Sequence, residues 1–210
     1  ANPTENHPVA ATFFKNAAKK GAKLIVMDPR GQALRKHATH MLQFKPGADV
    51  AMMNSIMHVI VEENLFNSEY IDDRTIGFED LKNELKEYTP EKMQKISGIE
   101  PSMIREVAKL YANTKKGLIF WGMGVSQHIH GTDNARCLIS LALMTGNVGR
   151  RGAGLHPLRG QNNVQGASDA GMIPMFLPDY QTVTDDGVRS AFNDIWQSDV
   201  DFSAEKDLLL

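Results

Sequence analysis

Two short apolar runs, each closed by a sharply different turn, decide what this 210-residue chain can fold into. Lys23-Leu24-Ile25-Val26-Met27 stops at Asp28-Pro29-Arg30, and Leu118-Ile119-Phe120-Trp121 ends in Gly122-Met123-Gly124. Runs this short and this continuously apolar read as buried strands of a parallel sheet. Ahead of the first run, Pro8 to Lys20 carries Val9, Phe13, Phe14 and Ala17 at helical spacing. Lys19-Lys20-Gly21 gives that helix a cationic, glycine-terminated end. Helix, strand and polar turn together make an α/β unit.

Helical signals fill most of the rest. Asp49 to Glu63 puts Val50, Met53, Met57 and Ile60 on one stripe, and Pro46-Gly47-Ala48-Asp49 reads as a turn leading to an N-cap acid. Ser68 to Asp73 and Phe78 to Tyr88 read as short helices. Thr89-Pro90 is a cap followed by a first-turn proline. Pro101 to Asn113 is amphipathic on Ile104, Val107, Ala108 and Tyr111. The span 67–113 therefore reads as a helical insertion. Asn134 to Met144 is an apolar helix, and a last helix runs from Asp186 to Gln197. Between Thr145 and Gly171 glycine recurs and bulky apolar residues are few. A loop of that length in a compact domain is usually a binding loop or disordered. The expected organisation is a Rossmann-like α/β domain over 1–150, its mostly parallel sheet flanked by helices, then an active-site loop and helical segment over 151–210.

Composition excludes several classes. Lys plus Arg number 23 against 25 Asp plus Glu, a net charge of −2, so a strongly basic nucleic-acid-type balance is ruled out. One cysteine, Cys137, excludes an internal disulfide framework and any multi-cysteine zinc or iron–sulfur site. No apolar run reaches the ~18 residues that a membrane span needs. A signal-peptide pattern is absent from Ala1-Asn2-Pro3-Thr4-Glu5, and so is a starting Met. Without a starting Met the chain is expected to begin inside a longer protein, and the location expected for it is cytoplasmic.

In an open parallel sheet, ligands bind beyond the carboxyl ends of the strands. Both turns sit there. Glycines let a backbone approach phosphates, and an acid can accept from sugar hydroxyls or base edges. The dinucleotide pattern G-x-G-x-x-G lacks its third glycine after Gly122-Met123-Gly124, and no Gly-Lys-Ser or Gly-Lys-Thr occurs. Ordinary nicotinamide or ATP binding is disfavoured. His37 and His40 have no nearby acid or cysteine to complete a metal site, and His128 and His130 alternate, which on a strand would point them the same way; no metal ligand is assigned, and the histidines are read as surface or supporting groups. Cys137, in an apolar helical run, is read as core. The densest chemistry lies in Leu158 to Asp169, where one guanidinium, four side-chain amides and two glycines crowd together. Amides serve a heterocycle as donors and acceptors, and arginine offers a fork to a carboxylate.

Several blocks, in order, resemble the molybdopterin oxidoreductase family, and within it formate dehydrogenase alpha subunits. They are Asn2-Pro3-Thr4-Glu5-Asn6-His7-Pro8, Gly21-Ala22-Lys23 through Asp28-Pro29-Arg30, Lys45-Pro46-Gly47-Ala48-Asp49, Trp121-Gly122-Met123-Gly124, Thr145-Gly146-Asn147-Val148-Gly149 and Arg159-Gly160-Gln161-Asn162-Asn163-Val164-Gln165-Gly166. The last is the most specific to formate dehydrogenases. The resemblance implies bis(molybdopterin guanine dinucleotide) carrying Mo or W. It places Asn2 and Glu5 in the first cofactor loop, and Asp28 and Asp49 near the nucleotide. Gly122, Met123, Gly124 and Gln127 fall in the turn beside the pterin, and Gly160 and Gln161 at the metal end. Arg159 corresponds to the arginine that holds formate's carboxylate.

The family's metal ligand is a Cys or selenocysteine followed by His, whereas Cys137 precedes Leu138. That ligand and the iron–sulfur cysteines are expected upstream, outside this chain. The implied partners are formate, the remainder of the alpha subunit and electron-transfer subunits, with no nucleic acid and no membrane span. The isolated chain is expected to be inactive. Three rival readings stay open: a nucleotide- or pterin-binding module without turnover, another molybdopterin oxidoreductase such as a nitrate reductase, and a nicotinamide-dependent dehydrogenase.

Overall fold

A computed structural model describes residues 2–198 of the chain. The protein is mixed α/β, with helices and small sheets, and divides into two compact units, the first ending at Leu158 and the second beginning at Arg159.

The first unit is built around one long helix. It opens with α1 (Pro3–Asn6) and α2 (Pro8–Lys19), then strands β1 (Ile25–Met27) and β2 (His40–Leu42), then α3 (Asp49–Glu62). β1 and β2 run parallel, with Val26 opposite Met41. Four helices follow: α4 (Ser68–Arg74), α5 (Phe78–Leu85), α6 (Pro90–Ser97) and α7 (Pro101–Ala112). Two of the four start on a side-chain cap, that at Thr89 as the sequence suggests. Asn67 accepts from the Tyr70 amide at 2.9 Å, and Thr89 from the Lys92 amide with Pro90 at the first helical position. Asp49 lies one residue inside α3, its charge still in the first turn where the helix dipole favours an anion. α3 then buries Met52, Met53, Ile56, Met57, Val59 and Ile60 against Leu85, Ile104, Val107 and Leu141. The helices of 67–113 thus share one core with α3.

The unit closes with β3 (Leu118–Trp121), α8 (Met123–Ser126), α9 (Gly131–Met144) and β4 (Gly154–Pro157). β3 and β4 are parallel, Leu118 pairing with Gly154 and Trp121 with Pro157. The glycine-rich stretch expected to be all loop therefore contains a strand, and further on the helix α10 (Val164–Asp169). Gly, His and Pro carry no strand signal of their own; the unpaired edge of β3 supplies the hydrogen bonds that hold them extended. Asn147 pins this return. Its Oδ1 accepts from the Gly117 amide at 3.0 Å and its Nδ2 donates to Thr145 Oγ1 at 3.0 Å.

Two expectations need correction. β3 is only half buried, with Leu118 and Phe120 exposed on one face. There the Phe120 ring packs against Phe14 and a stacked His156. The stripe on α2 is likewise open: Val9 is 73% and Phe13 70% exposed, while Ala11 is buried instead.

The second unit contains α10, an antiparallel pair β5 (Phe176–Leu177) and β6 (Gln181–Thr182), and α11 (Asp186–Trp196), capped by Asp185. Among the described residues the two parallel pairs and this antiparallel pair are separate two-stranded sheets, not one sheet.

Candidate functional site

The chain leaves the carboxyl end of β3 through a turn that the backbone ties down at each step. Val125 N donates to Gly122 O, Gln127 N to Met123 O, and Gly131 N to His128 O. Gly122 is buried, whereas Met123, Gly124 and Gln127 are exposed. At Gly131 a side chain is sterically excluded, since a Cβ there would fall 1.8 Å from the Ser126 carbonyl oxygen. β4 ends alongside, with Leu158 N donating to Trp121 O.

Beneath this turn three polar side chains converge from three elements. Asn134, fully buried on α9, donates from Nδ2 to Val125 O at 2.8 Å and meets His128 Nε2 at 2.8 Å. Asp49 Oδ2, at the start of α3, lies 4.0 Å from the same ring nitrogen. Asp49 is 8% exposed, and burial pushes its carboxyl above the ordinary range, against the lowering effects of its backbone hydrogen bond and of His128. The Oδ1 of Asn134 is buried with no hydrogen-bond partner. The structure thus brings Asp49 together with the glycine turn. His128 and Asn134, which join them, were missed by reading sequence alone. On a strand His128 and His130 would point the same way, but this stretch is a turn. His130 instead faces Asp133 at 4.0 Å.

Asp28 ends β1 buried and satisfied. Its Oδ1 accepts from the Arg30 amide at 2.7 Å and its Oδ2 from Gln32 Nε2 at 2.9 Å. Asn2 is buried before α1 and accepts from Thr4 Oγ1, while Glu5 is exposed.

In the second unit, Arg159, Gly160 and Gln161 are all exposed. Arg159 Nη2 donates to Gln165 Oε1 at 3.4 Å. Gln165 Nε2 in turn donates to Asp169 Oδ1 at 2.8 Å and to the Tyr180 hydroxyl at 3.1 Å. The Gln165 amide therefore couples the guanidinium of this loop to its carboxylate.

Cys137 is buried on α9, and its Sγ donates to Asn54 Oδ1 at 3.3 Å. Burial, followed by the nearby Asp133 charge, pushes the thiol up to about 11. Both disfavour the thiolate, so the charged form is scarce until strongly alkaline pH. Alkylation of Cys137 by iodoacetamide at pH 8 should be roughly a hundredfold slower than that of an ordinary cysteine, as read by mass spectrometry over time. A rate equal to that of free cysteine would contradict its placement. A separate cleft of about 380 Å³, lined by Asn67, Tyr70, Arg74 and Arg150 among others, includes none of the candidate residues. Among the described residues no helix is long and apolar enough to cross a membrane.

The sequence model of the molybdopterin oxidoreductase family matches residues 1–207. The chain is 46% identical over 200 residues to an F420-dependent formate dehydrogenase subunit alpha of Methanocaldococcus jannaschii, covering 95% of this chain and 29% of that protein. It is 44% identical to formate dehydrogenase H of Escherichia coli, covering 93% of this chain and 27% of that protein. Acetylene hydratase from Pelobacter acetylenicus superposes with a TM-score of 0.63 at 29% identity, over 66% of this chain and 19% of that one. The chain spans less than a third of the length of the curated relatives it matches.

Proposed function

The chain belongs to the molybdopterin oxidoreductase family, and from that premise we propose that it is the cofactor-binding portion of a formate dehydrogenase catalytic subunit. The observation that carries this reading is the exposed turn Gly122–Gln127 at the carboxyl end of a parallel strand, with buried Asp49 and the unpartnered Asn134 Oδ1 beneath it. Parallel pairs with helices packed on them suit a Rossmann-like domain, in which ligands lie beyond the carboxyl strand ends. The donor set suits a pterin guanine dinucleotide. Asp49 accepts from ring N–H and amino donors, and the glycines of the turn admit a close backbone approach. Asp28 lies with Asp49 near the nucleotide, Asn2 and Glu5 belong to the first cofactor loop, and Met123 and Gln127 lie beside the pterin. Gly160 and Gln161 belong to the loop at the metal end.

The parent reaction is oxidation of formate to carbon dioxide, a proton and two electrons. The bound cofactor supplies Mo or W as the electron acceptor. Arg159 meets the formate carboxylate with two parallel N–H donors and orients its C–H bond. The metal's protein ligand, the iron–sulfur cysteines and the contacts to electron-transfer subunits belong to the remainder of the alpha subunit, and the assembly is cytoplasmic. A binding module without turnover is the alternative for the same geometry.

The full-length enzyme, purified without oxygen, should release guanine on acid hydrolysis, contain molybdenum or tungsten, and reduce a viologen dye with formate. The 210-residue chain alone should reduce none. A full-length protein that holds guanine and metal but shows no formate-dependent reduction would leave only the binding module. Absence of guanine would remove the cofactor reading.

A further inference from the structure

We propose that His128 is a cofactor-contacting hydrogen-bond donor and that Asn134 is the positioning residue that decides which of its ring nitrogens donates, an inference that rests on reading Gly122–Gln127 as a cofactor turn. The chain of reasoning starts at a carbonyl. Val125 O can only accept, so the group 2.8 Å from it on Asn134 must be the amide NH2. That same NH2 lies 2.8 Å from His128 Nε2. With a donor already in place, Nε2 must offer its lone pair. The imidazole is therefore neutral and carries its proton on Nδ1.

Nδ1 has no hydrogen-bond partner among the described residues, and the side chain is 31% exposed. A donor is thus held ready at the rim of the turn. Its complement is an acceptor oxygen, a phosphate or ring carbonyl, of a pterin nucleotide seated against that turn.

Two details favour a binding role over a packing role. Asn134 keeps its Oδ1 buried and unpartnered, a cost to stability that the two contacts of its NH2, to Val125 O and His128 Nε2, offset. Asp49 Oδ2, 4.0 Å from Nε2, would by itself draw the proton to Nε2; the closer amide opposes this. Removing the amide hands the ring to Asp49 and reverses the tautomer, so Nδ1 becomes an acceptor and the ligand loses its donor.

The test uses the full-length enzyme, with bound guanine nucleotide as the probe. Its rate of loss from purified protein is followed by chromatography of the released nucleotide after acid hydrolysis to guanine. An asparagine amide can stand in for Nδ1–H, whereas a glutamine amide reaches only the Nε2 position. His128→Gln should release guanine about tenfold faster than wild type, and His128→Asn within about twofold of it. Asn134→Leu, close in volume, should also release about tenfold faster. Adding His128→Asn to it should restore slow release, because that amide donates whatever stands at 134. Damage to the fold alone would not be rescued. Equal release by His128→Gln and wild type, equal impairment of both His128 variants, or failure of the double variant to recover would overturn the assignment. Wild-type enzyme with no bound guanine would instead overturn the cofactor reading, and this inference with it.

Discussion

Gly131→Ala should cost about 3 kcal/mol of stability, the upper end of what overpacking a fixed site does, and should displace the glycine turn. The cause is a backbone collision. The new Cβ would sit 1.8 Å from the Ser126 carbonyl oxygen, less than any non-bonded contact allows. No side chain can rotate away to relieve it. The position is held from the other side as well, since Gly131 N donates to His128 O. Either α9 starts later or Ser126 to His128 moves. Each outcome shifts Gln127 and breaks the His128–Asn134 contact. Gly31→Ala is the matched control, because its Cβ would meet the nearest atom at an ordinary 3.5 Å. It should change stability by no more than about 0.5 kcal/mol. Urea unfolding of the two variants gives the comparison, and guanine content of the full-length enzyme reports the turn. Equal stability of Gly131→Ala and wild type would show that the turn is not packed as described.

The same turn shows what can and cannot be read from sequence. Its beginning was legible. Leu118 to Trp121 is continuously apolar and the glycines that follow cannot prolong a strand, so a strand with an open end was the natural reading. Its support was not. Asn134 looks like any helical asparagine, and its value comes from meeting Val125 and His128 across a bend that no periodicity encodes. β1 was legible for the same reason as β3. By contrast β2, with His40-Met41-Leu42, and β4, with Gly154-Leu155-His156-Pro157, owe their conformation to a partner strand already in place. The stripe on α3 was read correctly at Met53, Met57 and Ile60, which are buried. That on α2 was not, since helical spacing reports which residues share a face, not whether anything covers it. The amides after Arg159 were read as ligand groups; at Gln165 the structure finds a side chain that binds its own loop.

The contact of Arg159 with Gln165 makes it an informative position to test. Replacing it by lysine in the full-length enzyme should lower kcat/KM for formate by about a hundredfold or more while metal and guanine content stay near wild type. A guanidinium meets both carboxylate oxygens at once, whereas an ammonium keeps the charge and loses the fork. The competing role is structural. Arg159 donates to Gln165, and Gln165 passes the connection to Asp169 and Tyr180, so the guanidinium could serve the loop's shape alone. Gln165→Met separates the two, because it cuts the relay and leaves Arg159 in place. If Arg159 holds the substrate, Gln165→Met should cost less than about tenfold in kcat/KM, since one exposed amide bridge contributes about 1 kcal/mol. If Arg159 serves the loop, both variants should lose cofactor and activity together, and by similar factors. Near-normal formate turnover by Arg159→Lys with full cofactor would mean that the carboxylate is held by another group.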